Sequence, residues 1–164
     1  MLSWPATYLG GAVIAITAGL LLITGTRGAA CPDNPTEFAS RVNELNKTFA
    51  DVYAGNMQTI EACQSLDCER PEKLEIASAL RSNSVGLQKI CWPRKRTAAV
   101  DALVNANAGM ANAYTNWSEV TSPEDDQLLA RAAASAGQRQ RSALTALTAS
   151  LALSGRTPNS DRTP

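Results

Sequence analysis

Hydrophobic positions along this 164-residue chain fall into two regimes. Residues 4–24 contain no Asp, Glu, Lys or Arg, and 9–23 are almost wholly apolar; from residue 34 onward, apolar positions recur every three or four residues among polar ones. The first regime is long enough to cross a bilayer, because about 20 residues rising ~1.5 Å each match a hydrocarbon core of roughly 30 Å. Trp4 and Tyr8 stand at its front end and Arg27 beyond its far end, flanks that suit a retained anchor over 1–27. A cleaved signal peptide and a lipid on Cys31 are the competing readings. Against the first, no basic side chain precedes Arg27; against the second, Gly28 and Arg27 stand on the approach to Cys31. Gly11, Ala15 and Gly19 recur at every fourth residue and form one smooth face on which a second membrane helix can pack, although small residues are common in any membrane helix.

The second regime has the period of amphipathic helices. Asn34, Pro35 and Glu37 read as a cap, a first helical position and a residue reaching back to the cap. The stripe Phe38, Val42, Leu45, Phe49, Val52 and Ile60 carries this helix to about Cys63. Pro71, flanked by Glu69 and Glu72, predicts the start of a second helix with the stripe Leu74, Ala77, Leu80, Leu87 and Cys91, stopped by Pro93. A third runs from Arg94 to near Val120 on Val100, Leu103, Met110, Tyr114 and Trp117. Ser122, Pro123, Glu124 and Asp125 open a fourth, whose face is Leu128, Leu129, Ala132, Ala136, Leu144, Leu147 and Leu151. No stretch alternates with period two. The expectation is therefore all-α: a single transmembrane helix, an antiparallel up-down-up-down four-helix bundle over 28–154, and a disordered tail over 155–164.

The four cysteines, at 31, 63, 68 and 91, are even in number behind an export-like start, which favours two disulfides over a zinc site lacking paired C-x-x-C knuckles. Direction selects the pairing. A first helix rising about 40 Å and a second returning about 30 Å bring Cys91 back to Cys31 and leave Cys63 with Cys68 at the far turn. On loop entropy the long bridge is worth about 4 kcal/mol and the short one about 2. Arg27 and Arg41 pull mildly towards a cytoplasmic domain under the positive-inside rule; the paired cysteines pull outward, and the neutral front flank makes the charge rule the weaker of the two.

Composition narrows the chemistry. Fifteen basic residues balance fifteen acidic ones, so no net field draws nucleic acid, and no nucleic-acid partner is expected. Histidine is absent, which removes the commonest general base and metal ligand. No catalytic, cofactor or metal site is expected; Glu124, Asp125 and Asp126 are explained by the positive end of a helix. Trp92, Arg94, Lys95 and Arg96 form the one dense basic cluster and are candidates for headgroup or partner contact, against the plain reading of an exposed turn. Gly86, Gly109 and Gly137, each 14 or 15 residues into its expected helix, point to close helix approach, with a dent in the surface where something docks as the alternative. Asn105, Asn107, Asn112 and Asn116 form a row that reads either as a hydrogen-bonding face or as an ordinary solvated one.

The Ala- and Arg-rich, Lys-poor composition points to a bacterial source with a GC-rich genome. Together these features predict a non-enzymatic accessory or structural subunit of a larger bacterial membrane complex, of respiratory or transport type. It would be anchored in the inner membrane with its bundle on the extracytoplasmic side, and its partners would be integral membrane proteins and membrane lipids. An extracytoplasmic binding module for a small apolar ligand or a peptide is the alternative, and an enzyme using carboxylates alone the most distant.

Overall fold

A computed structural model describes residues 31–154. Four helices account for nearly all of them: α1 (Pro35–Ala62), α2 (Leu66–Gln88), α3 (Arg94–Ser118) and α4 (Pro123–Ser154). No strand occurs among the described residues. None of these helices is long and apolar enough to cross a membrane. The apolar run 4–24, with Gly11, Ala15 and Gly19, lies outside the described residues, as does the tail after residue 154.

Each helix starts for a local reason. Asn34 caps α1, its side-chain oxygen accepting from the Glu37 N–H at 3.3 Å, and Ser122 caps α4, its hydroxyl accepting from the Asp125 N–H at 3.2 Å. In α2 the structure corrects the expected start. The helix begins at Leu66 with Ser65 as cap, and Pro71 lies inside it. A proline there removes the donor that the Asp67 carbonyl would have used, but Asp67 is exposed, so water can reach that carbonyl. The Cys63–Cys68 bond ties the end of α1 to the first turn of α2 ahead of the proline.

The helices form a four-sided ring in which α1 packs on α2, α2 on α3, α3 on α4 and α4 back on α1, the last seam being the narrowest. The core has two apolar halves. One joins Phe49 and Ile60 to Ile76, Leu80, Met110 and Tyr114; the other joins Phe38 and Val42 to Leu87, Val100, Leu103 and Leu147. Late residues of α1 and α3 thus meet early residues of α2 and α4, which is the antiparallel order. Between the halves each helix contributes something polar: the Leu45 carbonyl, Asn83, Asn107 and Gln140. The Asn83 amide donates to the Leu45 carbonyl and the Asn107 amide donates to Asn83 Oδ1, both at 3.0 Å. Asn107 is fully buried and its Oδ1 has no hydrogen-bond partner among the described residues, a cost accepted in the middle of the core. Of the Asn row, therefore, one member is a core residue, while Asn105, Asn112 and Asn116 are exposed.

Two apolar stripes are corrected. Leu74 and Leu128 are exposed, at 43% and 62%, and Ala132 is exposed as well. The inward face of α2 is instead Lys73, Ile76, Ala77, Leu80, Asn83 and Leu87, and that of α4 runs through Ala133, Ala136, Gln140, Leu147 and Leu151. Close approach at the glycines holds for Gly86, where a Cβ would stand 2.5 Å from Leu45 Cδ2. It fails for Gly109, which faces open space, and Gly137 would make only ordinary contacts with Arg141 and Met110.

Candidate functional site

The bundle has two differently built ends. At the distal end, where α1 turns into α2 and α3 into α4, a cation is buried. Lys73 is 1% exposed, and its Nζ lies 2.7 Å from Glu69 Oε2, 3.0 Å from Asp126 Oδ1 and 4.2 Å from the centre of the Trp117 ring. Asp126 Oδ1 also accepts from Trp117 Nε1 at 2.6 Å. Burying an ammonium is tolerable only with such partners. One side chain thereby joins α2, α3 and α4, and Arg70 adds a bond from its Nε to the Ser118 carbonyl at 3.0 Å.

At the opposite end the chain enters the bundle. Cys31 is bonded to Cys91, with 5.6 Å between their Cα atoms; Cys63 and Cys68 form the second bridge at 5.7 Å, so all four cysteines are paired as helix direction requires. Helix α3 begins here with Pro93 as cap, no side-chain cap bond and three basic residues in its first turn, the unfavourable sign for a helix N-terminus. Asp33 supplies the missing negative charge. It pairs with Lys95, and its Oδ1 accepts from Arg96 Nε at 3.1 Å and Nη2 at 3.0 Å. The hydrogen bond from Lys95, and after it the guanidinium of Arg96, hold the Asp33 carboxyl below the usual carboxylate range despite opposing desolvation. Arg96 Nη1 reaches on to the Ser150 carbonyl of α4 at 2.7 Å.

This geometry divides the expected basic cluster. Arg96 is only 2% exposed and serves as an internal clamp, so it is withdrawn from the headgroup or partner surface. Trp92 is half-buried: its Nε1 donates to the Leu87 carbonyl at 2.8 Å, and its ring packs 4.9 Å from Phe38. It is a packing residue first. Arg94 and Lys95 remain exposed, joined by Lys89 just before Cys91. Neither Arg94 nor Lys89 has an ion-pair partner among the described residues.

On the flank of the bundle, Leu45, Phe49, Val52, Ala79 and Asn83 line a groove of about 280 Å³ between α1 and α2. Inside the bundle, burial pushes the Tyr114 phenol above its usual range, reinforced by its bond to the Tyr53 hydroxyl at 3.3 Å. No group of three or more His, Cys, Asp or Glu side chains placed to hold a metal ion occurs among the described residues. Sequence reasoning missed Lys73, Asp33 and the Asn83–Asn107 layer. For Lys73 the available signal was Glu69 four residues earlier, the favourable order for a helical pair. Asp33 offered none, because its partners lie 62 and 63 positions away.

Comparison of the chain with protein-family models, with curated proteins and with solved structures finds no match.

Proposed function

We propose that this chain is a non-enzymatic, membrane-anchored accessory subunit whose disulfide-stapled bundle stands on the extracytoplasmic face of a bacterial inner membrane and packs on a larger membrane complex of respiratory or transport type. The observation that carries the reading is how the chain is held where it enters the bundle. Cys31 is fastened to Cys91, and Asp33 to Lys95 and Arg96, so the 30 residues ahead, with their apolar run, attach to a fixed point rather than to a free helix end. A pull on that segment reaches α3 and, through Arg96 and Ser150, α4. Pairing of all four cysteines supports an oxidising compartment. Gly11, Ala15 and Gly19 are assigned the contact with a partner membrane helix.

Purification of the full chain from its native membrane in mild detergent tests this. A stoichiometric integral membrane protein is expected to accompany it and to be lost on Gly11→Leu with Gly19→Leu. A chain that purifies alone would overturn the subunit reading. The groove at Leu45, Phe49 and Asn83 favours one second reading, a tethered module holding a small apolar ligand; in that case the purified chain carries a ligand and no protein.

A further inference from the structure

Charge is sorted along the bundle although the chain as a whole is neutral. The two distal stretches, 61–75 and 119–131, hold nine acidic and three basic residues. At the other end, 89–101 holds four basic residues and one acidic, 142–154 is uncharged, and 31–44 holds three acids and one base, while Lys47, Arg139 and Arg141 lie at mid-height. Acids at the starts of α2 and α4 are well matched to helix dipoles, and that accounts for part of the distal excess. The basic excess has no such origin, since the cations in the first turn of α3 oppose its dipole. Within that excess Arg96 is consumed by Asp33 and Ser150. Lys89 and Arg94 are exposed with no ion-pair partner among the described residues, and Lys95, paired with Asp33, keeps 60% of its side chain exposed. These three stand beside Cys91, which is bonded to Cys31, the residue through which the N-terminal segment arrives.

We propose that Lys89, Arg94 and Lys95 form a binding face for anionic phospholipid headgroups, and that the charge polarity of the bundle stands it on the bilayer with its acidic turns pointing away. The inference rests on the anchored reading given above. Covalent continuity places this end nearest the membrane, because six residues, 25–30, separate the end of the apolar run from Cys31, which is bonded to Cys91. Opposite charge then draws the basic face to the headgroup layer, and repulsion lifts the acidic turns from it. An acidic protein surface offers the same charge complementarity without the bilayer.

The full chain reconstituted in nanodiscs discriminates, with lysine acylation followed by peptide mass spectrometry as the readout. In discs containing about 30 per cent phosphatidylglycerol, acylation of Lys89 and Lys95 is expected to fall by about threefold or more relative to phosphatidylcholine discs, and to recover at high salt. Lys47, half-way along α1 with 78% of its side chain exposed, serves as the unchanged reference. Arg94→Glu should weaken the protection of both lysines while leaving the far-UV spectrum intact. Equal acylation in both discs overturns the lipid face but leaves the anchor standing. Protection that appears only when the native membrane proteins are restored overturns it in favour of a protein surface. Failure to enter either disc overturns the anchored reading and this inference with it.

Discussion

Replacing Lys73 by Met removes the buried charge while keeping the length of the side chain, and its cost follows from what remains. Glu69 and Asp126 are left facing each other across the vacated ammonium, with side chains only 16% and 23% exposed. Removing one partner of a fully buried pair costs about 3–5 kcal/mol; the residual exposure of both carboxylates lowers the expectation to about 2–4 kcal/mol. The cation over Trp117 is lost as well, but the Met sulfur recovers part of that contact. Lys47→Met is the control, since it breaks a pair of the same helical spacing whose side chains are 78% and 67% exposed and should leave the unfolding midpoint nearly unchanged. Urea unfolding of the full chain in detergent, followed by far-UV circular dichroism, measures both. Adding Glu69→Gln and Asp126→Asn to Lys73→Met should return stability to within about 1 kcal/mol of the parent, because the stranded charges are gone and an amide oxygen still accepts from Trp117 Nε1. A Lys73→Met variant no costlier than Lys47→Met, or a triple variant no better than the single one, would refute a stabilising role for the buried ammonium.

Asn83→Ala strands the buried Asn107 amide and should cost about 1–3 kcal/mol by the same urea assay. Adding Asn107→Leu, which removes the stranded group and refills the volume, should recover most of it. Gly109→Ala should stabilise the bundle by about 0.5–1 kcal/mol, and Gly86→Ala by less, because its Cβ must displace Leu45; thermal unfolding of the pair checks the order. Asp33 binds its proton less readily folded than unfolded, so its contribution is complete above the ordinary carboxylate range and is lost as pH falls through the depressed folded value. The exchange protection factor of the Arg96 amide, bonded to the Pro93 carbonyl, should fall in acid for the parent and stay low and flat for Asp33→Asn. Tyr114 has the opposite sense: its raised folded value means stability present below a pH of about 10 and lost above it, a loss that Tyr114→Phe should abolish in alkaline unfolding curves.

The helices were legible where local chemistry is self-sufficient. Asn34 and Ser122 cap their own helices, Pro93 separates α2 from α3, and the stripe of α3 from Val100 to Trp117 is buried throughout. Direction alone paired the cysteines, since short loops leave an antiparallel chain few alternatives. What stayed hidden depends on partners far along the chain. A lysine reads as surface until Asp126 and Trp117 are folded against it, and an arginine in a basic run reads as a headgroup contact until Asp33 and Ser150 close on it. The start of α2 differs from the expected one for another reason: Pro71 gives a strong first-turn signal, but the Ser65 cap and the Cys63–Cys68 bridge fix the helix before the proline is reached.

The proposed role requires an anchored bundle in an oxidising compartment. Non-reducing peptide mapping of the protein isolated from its native membrane, reading the cysteine linkage and the N-terminal residue together, tests it most directly. It should find the chain beginning at Met1, with Cys31 linked to Cys91 and Cys63 to Cys68. Four free thiols would place the bundle on the reducing side of the membrane, and a chain beginning at or near Cys31 would remove the anchor on which the proposed role depends.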